Sequence, residues 1–432
     1  MLDFIAGIIV TSWFGIHRQP QPELKPMELL PWSTTAIFEL PRLNRDRHSS
    51  QKIVSYLENL TDQGFEGNRQ GIWVQSDWTV LGSNSGQTAL PAASLTKVAT
   101  TLAALDKWGV QHQFLTDIYL VGKLNDGIVE GDLIIQGSGD PFFVWEEAIA
   151  LGNALNQLGI RKIQGDLLII DKFYMNYQDQ SLAAGELFKQ AIDQTQWQRE
   201  VRQQHDQMPA GTMAPQVAIA GKVKTINHLS EQAQLLIRHR SLPLGEILKQ
   251  MNLYSNNQMA QMLTDLVGGA VKLALVGQEV AGVEPSEIEL VNGSGLGESN
   301  RISPRAVCQM LITIERLLHS SAWSTADLFP TAGRDTVGTV QARSLPPGTI
   351  LKTGTLDRVS ALAGVIPTGD RGNVYFSIIN YGNQVERFRQ QQDILLNDLV
   401  QSWQLIPNNL SVATKYNWYL GDPQRNSLNI EH

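Results

Sequence analysis

The chain has 432 residues, 42% of them apolar and 18% charged, which excludes a disordered or collagen-like polymer and leaves room for roughly two to three domains. With 34 basic against 42 acidic side chains the net charge is −8, so no general basic field holds a nucleic-acid backbone, and nucleic acid is not an expected partner. The single cysteine, Cys308, excludes an internal disulfide framework and a cysteine-rich zinc site, and the eight histidines show no HExxH or other metal-ligand spacing.

In chain order, the apolar run FIAGIIVTSWFGI at 4–16 has about the length of a signal-peptide core and falls short of the ~20 residues a bilayer span needs. It reads as an export signal or weak anchor, although Asp3 rather than a basic residue precedes it and Arg18 follows it. The polar, proline-bearing HRQPQPELKP reads as an extended tether, with the fold expected to start near Pro31. Residues 71–86 read as a hairpin, and PAASLTKVATTLAAL as a helix beginning near Ser94, with Val98, Leu102 and Leu105 at helical spacing. A second hairpin over 114–136 turns at Asn125-Asp126-Gly127, followed by a helix at 146–158 and a strand at 165–171. The Gln-, Asp- and Glu-rich stretch 177–207 has few apolar anchors and reads as a surface helix or loop. Helices follow at 244–253, 257–267 and 304–318, then strands at 349–353, 362–366 and 373–380. Everything after Ile406 is Asn- and turn-rich and reads as a tail.

Strands at both ends around a helical middle predict an α+β layer in which terminal segments share one antiparallel sheet. The expected organisation is a signal-like or anchor segment and linker at 1–30, a main domain from 31–106 plus 241–406, an inserted lobe at 107–240, and a tail at 407–432.

Three motifs carry the chemistry. Ser94 and Lys97 stand three apart, so on a helix the amine reaches the hydroxyl. Desolvation or neighbouring positive charge then turns that lysine into a base. The second S-x-x-K, Ser49 to Lys52, lies in the polar run RDRHSSQK and reads as surface. Tyr254-Ser255-Asn256-Asn257 opens a helix, where Ser and Asn are ordinary caps but also a hydroxyl relay and an amide that binds substrate. Lys352-Thr353-Gly354-Thr355 ends a strand, where Lys352 and Thr353 would grip a carboxylate and Gly354 would let a backbone approach.

In that chain order S-x-x-K, S-x-N and K-T-G are the signature of active-serine penicillin-recognising enzymes. PAASLTK, YSNN and LKTGTL resemble the motifs of low-molecular-mass class C penicillin-binding proteins, the D-alanyl-D-alanine carboxypeptidase/endopeptidase family, and GDLIIQGSGDP, HRSLPLGEIL and NGSGLGESNRISP agree with it. Departures are a shorter insert, Gln261 where relatives often carry an acidic residue, and a loose match at FPTAGRDTVGTV.

The resemblance implies an α+β fold: a β-lactamase/penicillin-binding-protein-like antiparallel sheet flanked by helices, with an inserted smaller α/β lobe. It implies Ser94 as nucleophile, Lys97 as proton acceptor, and Ser255 and Lys352 in the relay to the leaving amine. Asn257, Thr353, Gly354 and Thr355 would bind substrate, and the Ser94 and Thr355 backbone N–H groups would hold the oxyanion. Peptidoglycan stem peptides are the implied substrates and β-lactams the implied inhibitors, with no metal or organic cofactor. The implied location is the periplasm or cell envelope, with membrane association through the N-terminal apolar segment. A serine β-lactamase and a non-catalytic envelope protein on the same fold are the competing readings. No convincing E-x-x-L-N deacylation stretch lies between Lys97 and Lys352, and penicillin labelling of wild type against Ser94→Ala separates enzyme from scaffold.

Overall fold

The computed structural model describes residues 46–406 and 419–429; the apolar run at 4–16, the tether and residues 407–418 lie outside them. A five-stranded antiparallel sheet runs in the order Ile350–Leu356, Val359–Thr368, Gly372–Tyr381, Gln70–Ser76, Val80–Asn84. An early strand thus pairs with a late one, Gln70 standing opposite Asn380 and Ser76 opposite Val374.

Both faces of this sheet are covered, which is why Val359–Thr368 is apolar almost throughout. Alternate residues feed opposite cores. Leu362 and Ile366 pack with Phe376, Ile378 and the helices Arg47–Asp62 and Val385–Val400. Val359, Ala361, Ala363 and Val365 pack against the helices Thr96–Trp108, Asn257–Val267, Ala270–Ala281 and Pro304–Leu318.

The second sheet is drawn from 115–240 and one strand from the end of the chain. Asn426–Leu428 pairs with Gln234–Arg240, which pairs with the hairpin Leu115–Asn125 and Ile128–Ser138. The helix Trp145–Gln157 then carries the chain to Leu167–Lys172, parallel to Ile128–Ser138, a crossover that parallel pairing requires.

Three expectations are corrected. Residues 177–207 hold two helices, Ser181–Ala191 and Arg199–Gln207, and Ala184, Phe188 and Ala191 are buried at helical spacing, too few apolar residues to stand out against the glutamines. Ser49 is buried rather than on the surface; it donates to Asp46 (2.9 Å) while Lys52 pairs with Asp398 (3.2 Å), so serine and lysine have separate partners. Residues 419–429 are not a tail: Arg425 is buried on Glu147 and Asn426 bonds His239 (2.7 Å).

Candidate active site

Ser94 sits in a 3-10 turn, Ala93–Leu95, that runs directly into Thr96–Trp108. Ala93 has φ of 47°, a left-handed conformation costly for a residue with a Cβ and characteristic of sites that hold a reactive group in place. Two neighbours fix the turn. A Cβ on Gly295 would fall 1.8 Å from the Ala93 carbonyl oxygen, and one on Gly354 would lie 3.0 Å from Ser94 N. At 295 only glycine lets the 292–297 loop close on the turn that carries the serine, and Gly354 eases the close approach of the Ile350–Leu356 strand from the other side.

Lys97 has no exposed surface. Its Nζ lies 3.1 Å from Ser94 Oγ, 2.7 Å from Asn257 Oδ1 and 2.7 Å from the Ser294 carbonyl oxygen. The last two oxygens only accept, so in the neutral amine they take the two N–H bonds and the lone pair is left for the Ser94 proton. Desolvation lowers the Lys97 pKa to about 7, which makes that neutral form accessible. Because Asn257 Oδ1 faces Lys97, its Nδ2 is the group available to a ligand carbonyl.

Lys352, also buried, reaches Ser255 Oγ (3.0 Å) and the Thr353 carbonyl (2.8 Å). Burial, and then the nearby Lys97, hold its pKa well below the usual lysine range. Ser255 does not cap the next helix: Asn256 does, its side chain accepting from Met259 N (2.9 Å), while Ser255 takes a left-handed φ of 54°. The cap therefore falls between Ser255 and Asn257 and leaves both side chains free for the site. The structure brings Ser94, Lys97, Ser255, Asn257 and Lys352 together, with Thr353, Gly354 and Thr355 continuing along an edge strand.

Several contributors carried no role in the motif reading. Asn292 Oδ1 accepts from Ser294 N, Ser294 Oγ and Gly295 N, building the turn that presents the Ser294 carbonyl to Lys97. The helix Leu244–Leu253 leads into Tyr254-Ser255, and its buried Lys249 binds Phe329 O (2.7 Å) and Asp335 (2.8 Å). Asp335 also accepts from Thr331 N, next to the strand that carries Lys352. Arg389 donates to Thr355 Oγ1 at 2.7 Å. The sequence signals near these residues are the stretches NGSGLG, HRSLPLGEIL and FPTAGRDTVGTV, none of which assigns a role to Asn292, Lys249 or Asp335, and Arg389 lies outside all three. A cleft of about 470 Å³ opens beside Asn257, lined by Gln261, Ser294, Leu296, Tyr177 and Asp179.

Residues 53–186 and 210–399 match the family described as D-Ala-D-Ala carboxypeptidase 3 (S13). The chain belongs to that family. It is a serine-type D-Ala-D-Ala carboxypeptidase by that membership, and two curated relatives bear the same activity in their names. The D-alanyl-D-alanine carboxypeptidase of an Actinomadura strain is 24% identical over 75% of this chain and 80% of the relative. The D-alanyl-D-alanine carboxypeptidase DacB of Haemophilus influenzae is 25% identical over 73% of this chain and 86% of the relative. Solved structures share the fold. Penicillin binding protein 4 of Haemophilus influenzae has a TM-score of 0.60 at 20% identity, covering 79% of this chain and 99% of that one. A penicillin G-acylated predatory endopeptidase of Bdellovibrio bacteriovorus, in complex with an immunity protein, has a TM-score of 0.64 at 23% identity, covering 77% and 91%.

Proposed function

We propose that Ser94 is the acylated nucleophile for peptidoglycan stem peptides, with Lys97 as its base. The observation that carries this reading is the Lys97 amine, 3.1 Å from Ser94 Oγ with its other two contacts taken by acceptor oxygens. Ser94 Oγ attacks the carbonyl carbon between the two D-alanines and its proton passes to Lys97 Nζ. The oxyanion lies between the backbone N–H groups of Ser94 and Thr355, each worth about 3–4 kcal/mol to the transition state. The C–N bond breaks as the leaving amine takes a proton through the Ser255 hydroxyl, beside Lys352. D-Alanine departs, and water then hydrolyses the ester and restores Ser94.

Asn257 Nδ2 holds the acyl-side carbonyl, and Thr353 and Thr355 bind the terminal carboxylate beside Gly354. A β-lactam offers a similar carboxylate and a strained amide whose amine stays tethered after opening, so it acylates Ser94 and leaves slowly. In this reading 31–106 with 241–406 is the penicillin-binding domain, of which 46–106 and 241–406 are described, and 107–240 is its insert, whose sheet also takes Asn426–Leu428. The names of the two curated relatives support carboxypeptidase action and that of the Bdellovibrio enzyme endopeptidase action. The substrate places the protein in the cell envelope. Among the described residues no single helix is long and apolar enough to cross a membrane; the segment proposed for membrane association is the apolar run 4–16, outside the described residues.

Free D-alanine released from an N-acylated peptide ending in D-Ala-D-Ala tests the reading. Thr353→Val keeps the shape of the strand and removes one hydroxyl, so kcat/KM is expected to fall about 10- to 100-fold, since a charge-assisted hydrogen bond contributes about 1.5–3 kcal/mol. No release by wild type, or no change in Thr353→Val, contradicts it. Export is tested by fusing residues 1–30 to a reporter active only outside the cytoplasm; an inactive fusion removes that role from the segment.

A further inference from the structure

We propose that Arg389 is a specificity-determining residue, whose guanidinium, held against the Thr355 hydroxyl, selects substrates that end in a free carboxylate. The inference rests on the acyl-transfer reading above and adds to it a residue from outside the three motifs.

Geometry comes first. Arg389 Nη2 donates to Thr355 Oγ1 at 2.7 Å. A guanidinium has no acceptor, so the Thr355 oxygen accepts and its own proton is turned away from Arg389. Thr355 is exposed near the end of the Ile350–Leu356 strand, at the edge of the sheet. A threonine polarised in this way is a better donor to an anion than a lone hydroxyl.

The arginine is not a wandering surface group. Its neighbour Phe388 is fully buried and packs on Phe65 with ring centroids 4.6 Å apart, which fixes the first turns of Val385–Val400. Nη1 is held by Glu386, whose side chain is 76% exposed and therefore well screened by water.

Charge supplies the second argument. The other cations of the site, Lys97 and Lys352, are buried with no carboxylate partner among the described residues, and burial disfavours the ammonium form of both. One of them must be neutral to accept the Ser94 proton. A substrate carboxylate entering a cleft with two amines of weakened charge needs a cation that does not titrate, and arginine is the side chain that keeps its charge. Arg389 supplies it where Thr355 meets the substrate terminus. An internal bond, with no carboxylate at that point, gains nothing from it, so the residue biases the site toward terminal D-alanine release.

The test compares two peptides, one ending in D-Ala-D-Ala with a free carboxylate and the same peptide ending in D-Ala-D-alaninamide. In Arg389→Gln, kcat/KM on the carboxylate peptide is expected to fall about 10-fold or more, mostly through KM, against about twofold or less on the amide. Arg389→Lys should restore part of the difference, and added salt should shrink the wild-type preference. Equal losses on both peptides would mean that Arg389 only supports the strand, and no loss on either would mean that it is idle; both overturn the proposal. A wild-type protein that cleaves neither peptide overturns the acyl-transfer reading and this inference with it.

Discussion

Lys97 Nζ lies 3.1 Å from Ser94 Oγ, and its two remaining contacts, Asn257 Oδ1 and the Ser294 carbonyl, are both with oxygens that can only accept. The pair is therefore set for proton transfer in one direction once the amine is neutral. Desolvation brings the Lys97 pKa down to about 7, so the base form grows as pH rises through that value. The acylation rate by a penicillin is expected to climb about tenfold per pH unit below 7 and to flatten above it. A profile flat from pH 5 to 9 would exclude Lys97 as the titrating base.

Lys352 gives the matching stability prediction. Its folded pKa lies well below the unfolded value near 10.5, so between the two the unfolded chain binds more protons. Its contribution to stability then rises with pH across that window. In Lys352→Met the contribution is absent. The variant should lose acylation, and its Tm relative to wild type should become less favourable as pH is raised from 7 to 10. A constant Tm difference over that range would contradict the lowered pKa of the buried amine.

These sites differ in how far the chain announces them. Ser94 and Lys97 are three residues apart in one turn, so their contact is local and legible. The Lys352–Ser255 contact spans 97 positions, and no periodicity reports it; only the resemblance joined the two. The helix Val385–Val400 escaped because Gln392, which reads as polar surface, is fully buried, bonding Ser360 O (3.0 Å) and Asn380 Oδ1 (2.8 Å) in the core. Arg389 lies on that helix and went unnoticed with it. Arg425 failed for a related reason, since its burial depends on Glu147, 278 positions away.

That last pair is testable by itself. Arg425 and Glu147 are both buried, and His239 Nε2 stands 3.7 Å from Glu147. Arg425→Leu leaves the carboxylate without its charged partner, a loss expected to cost about 3–5 kcal/mol of unfolding free energy in urea titration. Penicillin labelling of the folded fraction should be unchanged. An unchanged denaturation midpoint would show that 419–429 does not hold the second sheet.

Gly295→Ala probes the loop that closes on the nucleophile. With φ of 81° and a Cβ position 1.8 Å from the Ala93 carbonyl oxygen, alanine must push the Ser294 carbonyl away from Lys97. A displacement near 1 Å is expected to lower the acylation rate on the order of 100-fold, with a smaller effect on Tm. Wild-type rates in this variant would mean that the Ser294 contact does not orient the base.

The central claim, that Ser94 carries the acyl group, is tested most directly by the mass of the protein after incubation with a fluorescent penicillin, with the labelled peptide sequenced. Wild type and Ser49→Ala should each gain one adduct on the peptide containing Ser94, and Ser94→Ala should gain none. An adduct retained in Ser94→Ala, or located on any other residue, would contradict the account.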